Sequence, residues 1–147
     1  MEFKEKIIEA FRRNGFRATT QRVVIAQVVL SSKNHPTAEQ VFEIIQRSNP
    51  SISLSTVYNT IHTMKEMNML QELALGNNHR YDPNTTIHVN LFCQNCGDII
   101  DVESQTIERE IDLISKRRRF SITGHRFDIH GICRKCQISD QSQVSSK

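Results

Sequence analysis

Through the first half of the chain apolar residues recur three and four positions apart, and the spacing predicts four helices. Phe3, Ile7, Ile8 and Phe11 form the first stripe, which Asn14-Gly15 ends. A second runs through Val23, Val24, Val28 and Leu30, with Thr19 or Thr20 placed to cap it. In HPTAEQVFEII, Thr37 precedes an apolar run and Gln40 follows three residues later. That is a capping box, in which each side chain accepts the other residue's backbone N–H. A fourth helix starts near Ser53 and buries Leu54, Val57, Ile61 and Met64 on one stripe. Ser55, Thr56, Tyr58, Asn59, His62 and Thr63 fall to its side or outer face.

The texture then changes. LQELAL and HRYD flank Gly76-Asn77-Asn78 and read as a hairpin. Helices followed by a hairpin is the order of a winged helix-turn-helix. PNTT, at 83 to 86, has the composition of a linker. Beyond it, short strands are expected at His88 to Phe92, Asp98 to Val102, Phe120 to Thr123 and Arg126 to Ile132. One amphipathic helix, from about Ser104 to Arg118, lies among them. SDQSQVSSK is too polar to bury and reads as a disordered tail. The fold class is therefore α+β. The expected domains are a winged helix over 1–82, a hinge over 83–87, a second domain over 88–138 and a tail over 139–147.

Composition narrows the function. In 147 residues no apolar run approaches the roughly 20 needed to cross a bilayer, which argues against membrane insertion. The N-terminus, with acids at positions 2 and 5, has no apolar segment of signal-peptide length, so a cytoplasmic protein is expected. A net charge of +3 permits a nucleic-acid partner without requiring one.

The four cysteines form two CxxC knuckles, Cys93-Gln-Asn-Cys96 and Cys133-Arg-Lys-Cys136. Two such turns complete a tetrahedral shell of four thiolates suited to structural Zn(II), and Gly97 suits the reversal after the first. Two disulfides or a thiol redox pair are the alternative uses. A closed thiolate shell leaves no open position for catalysis.

Beside the first knuckle lies a softer constellation. In an extended segment, His88 and Asn90 point to one face and Cys93 to the other, which separates the histidine from the thiolates. Asp101 follows on a returning strand. His35 precedes Pro36 in an interhelical loop, and Asp82 ends the hairpin. Imidazole and carboxylate together suit Fe(II), Mn(II) or Zn(II). Each residue also has an ordinary use as a loop, turn or surface residue. A zinc-ribbon hydrolase built on His88 and Asp101 is disfavoured, because HxE, HExxH and Gly-rich phosphate-loop motifs are absent.

Taken in order, HPTAEQVFEII, SLSTVYNTI, HRYD, IHVNLFCQNCGDIIDV and GICRKC resemble the ferric uptake regulator family, over about residues 3 to 137. The chain is most similar to the peroxide-sensing branch. That resemblance implies a dimeric, metal-dependent repressor: an N-terminal winged helix and a C-terminal α/β dimerisation domain bearing a four-cysteine zinc site. It implies structural zinc at Cys93, Cys96, Cys133 and Cys136, and a regulatory Fe(II) or Mn(II) at His35, Asp82, His88 and Asp101. Asp at positions 82 and 101, rather than Glu, and Asn59 rather than Arg both lean toward the peroxide branch. Where the family usually has His-x-His, the second residue here is Asn90, which is held as a further candidate ligand. The family's additional site looks degraded: Glu108 and His125 match it, but Ile87 and Val89 do not.

By the same resemblance, peroxide oxidises a ligand histidine, His35 or His88, when the site holds Fe(II). Mn(II) would act as a less reactive corepressor. Helix 53–67 would enter the major groove of a near-palindromic double-stranded operator, with Tyr58, Asn59, Ser55 and Thr56 near bases. Arg17, Arg22 and Lys65 are candidates for phosphate contacts. An iron- or zinc-uptake repressor that responds only to metal occupancy is the rival reading. The run Lys116 to Arg119 suits the C-terminal end of a helix, where cations complement the dipole.

Overall fold

Four helices and a hairpin build the first part of the chain in the computed structural model, which describes residues 2–144. They are α1 (Phe3–Arg13), α2 (Thr20–Ser31), α3 (Ala38–Gln46), α4 (Leu54–Glu66), β1 (Gln71–Leu75) and β2 (Asn78–Asp82). The chain divides into two compact units, Met1–Thr85 and Thr86–Lys147. The second holds β3 (Val89–Cys93), β4 (Ile99–Val102), α5 (Gln105–Arg118), β5 (Asp128–Gly131) and α6 (Arg134–Val144).

Caps set the helix starts in the first unit. Thr19 accepts the Arg22 N–H at 3.3 Å and starts α2. The Thr37–Gln40 box closes at 3.2 and 2.9 Å and starts α3, and Ser53 caps α4 by accepting the Thr56 N–H. Phe11 of α1, Ile25 and Val29 of α2, Val41 and Ile45 of α3 and Val57, Ile61 and Met64 of α4 then meet in one core, with Tyr81 from β2. Each such side chain contributes about 1.5–3 kcal/mol by leaving water. Thr63 departs from its expected outward position and is buried. Its hydroxyl donates to the Asn59 carbonyl one turn back, so the polar group enters the core already satisfied. The hairpin loop is tighter than the three residues expected. Gly76, at φ +59, opens a two-residue turn, and Asn78 already pairs with Leu75.

In the second unit β3 is the middle strand, antiparallel to β4 and parallel to β5. Two expectations fail here. Phe120 to Thr123 alternates like a strand but forms none. Instead Arg119 turns left-handed at φ 50, and the Phe120 backbone bonds back to Ser115, ending α5. The tail expected from residue 139 is helical through Val144; residues 145–147 of that segment lie outside the described residues. The second knuckle starts this helix, with Gln137 N–H donating to the Cys133 carbonyl. No described helix is long and apolar enough to cross a membrane.

Candidate metal centres

The four cysteine sulfurs gather within 4.8 Å of one another. Cys93 and Cys136 stand 3.9 Å apart at Sγ, and Cys96 and Cys133 stand 3.7 Å apart. A tetrahedral Zn(II) about 2.3 Å from each sulfur separates its ligands by about 3.8 Å, so the donors fit zinc in kind and spacing. Strand β3 brings Cys93, and the positive φ of Gly97, at +75, reverses the chain after Cys96. The backbone N–H of Cys133 donates to Cys93 Sγ at 3.3 Å, and this bond leads in lowering that thiol's pKa to about 6. Cys136 is pushed the other way, to about 12, chiefly by the Cys133 sulfur beside it. No disulfide is formed.

Histidine and aspartate form a pair in each unit. In the first, His35 Nε2 lies 3.7 Å from Asp82 Oδ1, and both residues are buried. The backbone explains how. His35 sits in a left-handed conformation, φ 46, which a non-glycine residue holds only where its surroundings impose it. Arg80 supplies the restraint: its Nε donates to the His35 carbonyl at 2.5 Å and its Nη2 to the Asn34 carbonyl at 2.6 Å. One residue on, Tyr81 N–H donates to the Pro36 carbonyl. Strand β2 thus stitches the loop in place before ending at Asp82, whose Oδ1 accepts the Asn84 N–H at 2.8 Å.

In the second unit, His88 Nε2 lies 3.9 Å from Asp101 Oδ1 and 3.2 Å from Asn90 Oδ1. Its other nitrogen, Nδ1, donates to the Thr86 carbonyl at 2.7 Å. That bond fixes the ring and leaves Nε2 as the nitrogen that could coordinate a cation. Asn90 and Asp101 face each other in the β3–β4 register. Sequence reasoning missed Arg80, although HRYD contains it, because its role rests on contacts about 45 residues away.

Glu108 and His125, which the resemblance matched to an additional site, join no group of three or more ligand side chains among the described residues. His125 Nε2 instead meets the Thr86 carbonyl at 3.1 Å. Glu108 lines a cavity of about 700 Å³ with Ile87, Arg109 and Ile111.

On α4, Ser55, Tyr58 and Asn59 are exposed, and Thr56 is half-buried with its hydroxyl against Ser53. Tyr58 donates its hydroxyl to Glu39 of α3, and this bond lowers the Glu39 pKa and raises that of Tyr58. Arg17 is exposed, and its carbonyl accepts from Arg22 Nη1 at 3.0 Å. Lys65 is paired with Glu72 of β1. Of the three cations expected at phosphates, Arg17 is therefore the most available. Lys116 pairs within α5 with Asp112 at 2.6 Å, an ordinary solvated helix end.

Comparison with known proteins agrees with this chemistry. The sequence profile of the ferric uptake regulator family matches residues 13–137. The peroxide-responsive repressor PerR of Staphylococcus aureus is 34% identical over 134 residues, covering 90% of each chain. The fold resembles that of the Helicobacter pylori ferric uptake regulator, with a TM-score of 0.75 at 24% identity, over 92% of this chain and 95% of the other. A structure of PerR from Streptococcus pyogenes aligns with a TM-score of 0.52 at 27% identity, over 93% and 95%.

Proposed function

The chain belongs to the ferric uptake regulator family, and we propose that it is a dimeric, metal-dependent repressor of the peroxide-responsive branch. The observation that carries this reading is the repeated pair. Each unit holds one buried histidine beside one aspartate, His35 with Asp82 and His88 with Asp101. A cation shared by both pairs would stabilise whichever arrangement of the two units brings them together, by its differential affinity for that arrangement. The donor set, two imidazoles and two carboxylates, suits Fe(II) and Mn(II). The thiolate shell of Cys93, Cys96, Cys133 and Cys136 is the structural Zn(II) site.

When bound, Fe(II) would supply the peroxide chemistry that oxidises a ligand histidine, and Mn(II) would hold the same residues without it. The protein's own part is positional. Arg80 fixes the His35 backbone and Thr86 the His88 ring, so that modification of either histidine removes a ligand and loosens the DNA-competent form. Exposed Ser55, Tyr58 and Asn59 on α4 are the base-reading candidates in the major groove, and Arg17 a phosphate contact. Ile114, Phe120 and Ile129, all more than half exposed, would be covered by a second copy, which predicts a near-palindromic operator.

The test starts by selecting operator DNA with Mn(II)-loaded protein. Binding is then measured with Fe(II) before and after peroxide, alongside mass spectrometry of the His35 and His88 peptides. Release of DNA with one added oxygen on either peptide supports the sensor. Unchanged binding and unmodified peptides would leave a repressor that reads metal occupancy alone.

A further inference from the structure

Asn90 is 1% exposed on the middle strand of its sheet. A carboxamide so placed destabilises the fold unless both its ends are engaged. It stands in register with Asp101 on β4 and with Asp128 on β5, so one row across the sheet reads Asp101, Asn90, Asp128. Members of such a row share a face. Asn90 Nδ2 donates to Asp128 Oδ1 at 3.4 Å, and the other Asp128 oxygen accepts from Arg126 Nε at 2.5 Å.

That chain of bonds decides which way the amide faces. With its NH2 group given to Asp128, its oxygen is turned to His88 Nε2, 3.2 Å away. His88 has already committed its Nδ1–H to the Thr86 carbonyl. Two lone-pair donors therefore face each other at the spacing of neighbouring ligands. On a six-coordinate cation about 2.1 Å from its ligands, adjacent donors stand about 3.0 Å apart.

We propose that Asn90 Oδ1 is a ligand of the regulatory cation, and that Arg126 and Asp128 hold it in that orientation. The inference rests on the sensor reading above. Its consequence is selectivity. An amide oxygen in place of a third imidazole makes the donor set harder. It favours Mn(II) and Fe(II) relative to Co(II) and Zn(II), which gain more from nitrogen ligands. Asp128 and Arg126 touch no metal; they are positioning residues.

The test uses full-length protein with zinc at its cysteines, titrated without oxygen with Mn(II) and with Co(II). Affinities and the visible spectrum of the Co(II) form are both recorded. Asn90→Leu should weaken Mn(II) binding about tenfold or more and intensify the Co(II) bands as a ligand is lost. Asn90→Asp, which keeps an oxygen, should retain Mn(II) binding. Asn90→His should raise the Co(II)-over-Mn(II) affinity ratio about tenfold. Asp128→Ala should weaken Mn(II) binding about tenfold in the native background and not at all on top of Asn90→Leu, within the range seen for residues that orient ligands.

Native Mn(II) affinity and a native Co(II) spectrum in Asn90→Leu would overturn the proposal. An equal loss from Asp128→Ala with and without Asn90→Leu would overturn the positioning role. Should Asn90→Leu fail to fold, as read by its melting curve, Asn90→His and Asp128→Ala carry the same decision. If the native protein takes up no metal beyond zinc, the sensor reading fails and this inference with it. Uptake by the native protein with an indifferent Asn90→Leu sinks the inference alone.

Discussion

The shared hydrophobic core runs from Ile7 to Tyr81, all within the first unit, whereas among the described residues those buried in the second fall between His88 and Cys93. Helix α5 buries no residue at all, and Phe120, Ile114 and Ile129 stand more than half exposed. The first unit closes itself by apolar burial. The second is small, and little of it leaves water within one chain, so its stability must come from elsewhere. Its four clustered sulfurs offer one source and its exposed apolar side chains offer another. A sensor gains from that division. On the proposed reading, the first unit should stay folded whatever the metals do, while the unit that carries His88, Asn90 and Asp101 should be stabilised by what it binds.

The strongest way to break this comparison is to remove the zinc. Stripping the metal with a chelator, or changing Cys133 to Ser, should unfold the second unit and leave the first intact. Structural zinc sites contribute on the order of 10 kcal/mol, more than a unit with so small a core can spare. Hydrogen exchange reads the result: the Asn90, Cys93 and Gln94 amides, each bonded to a backbone carbonyl, should lose protection. Those of α1 to α4 should keep it. Continued protection at Asn90 after chelation would show that the second unit supports itself.

Phe11→Ala tests the other side. Phe11 is fully buried in the first unit's core, and its truncation should cost about 3–5 kcal/mol in denaturant unfolding. The loss should fall on the first unit's transition, with the chelation response of the second unchanged. A loss shared by both transitions would mean that the two units unfold together.

The same contrast governs how much could be read from sequence. Period and caps revealed the first unit, because its core stripes are dense and its N-caps are the usual Thr and Ser. Thr63 escaped, since a hydroxyl that bonds its own helix can be buried without an apolar signal. In the second unit, period two was enough to place His88 and Asn90 on one face. Neither α6 nor the irregular stretch after α5 was legible. Ser, Gln and Asp give α6 no stripe, and FSIT alternates like a strand yet joins no sheet. Arg80 and Asp128 stayed hidden for a different reason. Their bonds join residues about 45 and 38 positions apart, and no local pattern records such a contact.

Cap deletions sharpen the comparison at a smaller scale. Thr37→Ala removes an N-cap that closes at 3.2 Å in a helix anchored by Val41 and Ile45, and should cost about 1 kcal/mol. Ser104→Ala removes a longer bond, 3.4 Å to the Ile107 N–H, from a helix with no buried residue. It should cost a few tenths of a kcal/mol, because a loosely packed helix frays rather than strains. Thermal melts of the two variants, each compared with the native protein, check the ranking, and equal losses would contradict it.

The smallest effect is electrostatic and belongs to the first unit. The Glu72 carboxylate has a lowered pKa, chiefly because the Lys65 ammonium donates to it, with His79 Nδ1 2.8 Å away adding a lesser share. A carboxylate depressed in the folded state stabilises the fold above its unfolded value of 4.5. The contribution disappears as pH falls below 4.5 through the lower folded value. Both partners of the pair are about a third exposed or less, so solvent screens the bond and its worth is at most about 1 kcal/mol. Native protein should therefore lose slightly more stability between about pH 5 and about pH 3 than Glu72→Gln, measured as unfolding midpoints in denaturant. The matching control lies in the second unit: Asp112→Asn breaks a pair exposed by more than half on both sides and should shift nothing measurable. A pH response in Asp112→Asn as large as that in Glu72→Gln would place charge pairing among the supports of the second unit, alongside metal and partner.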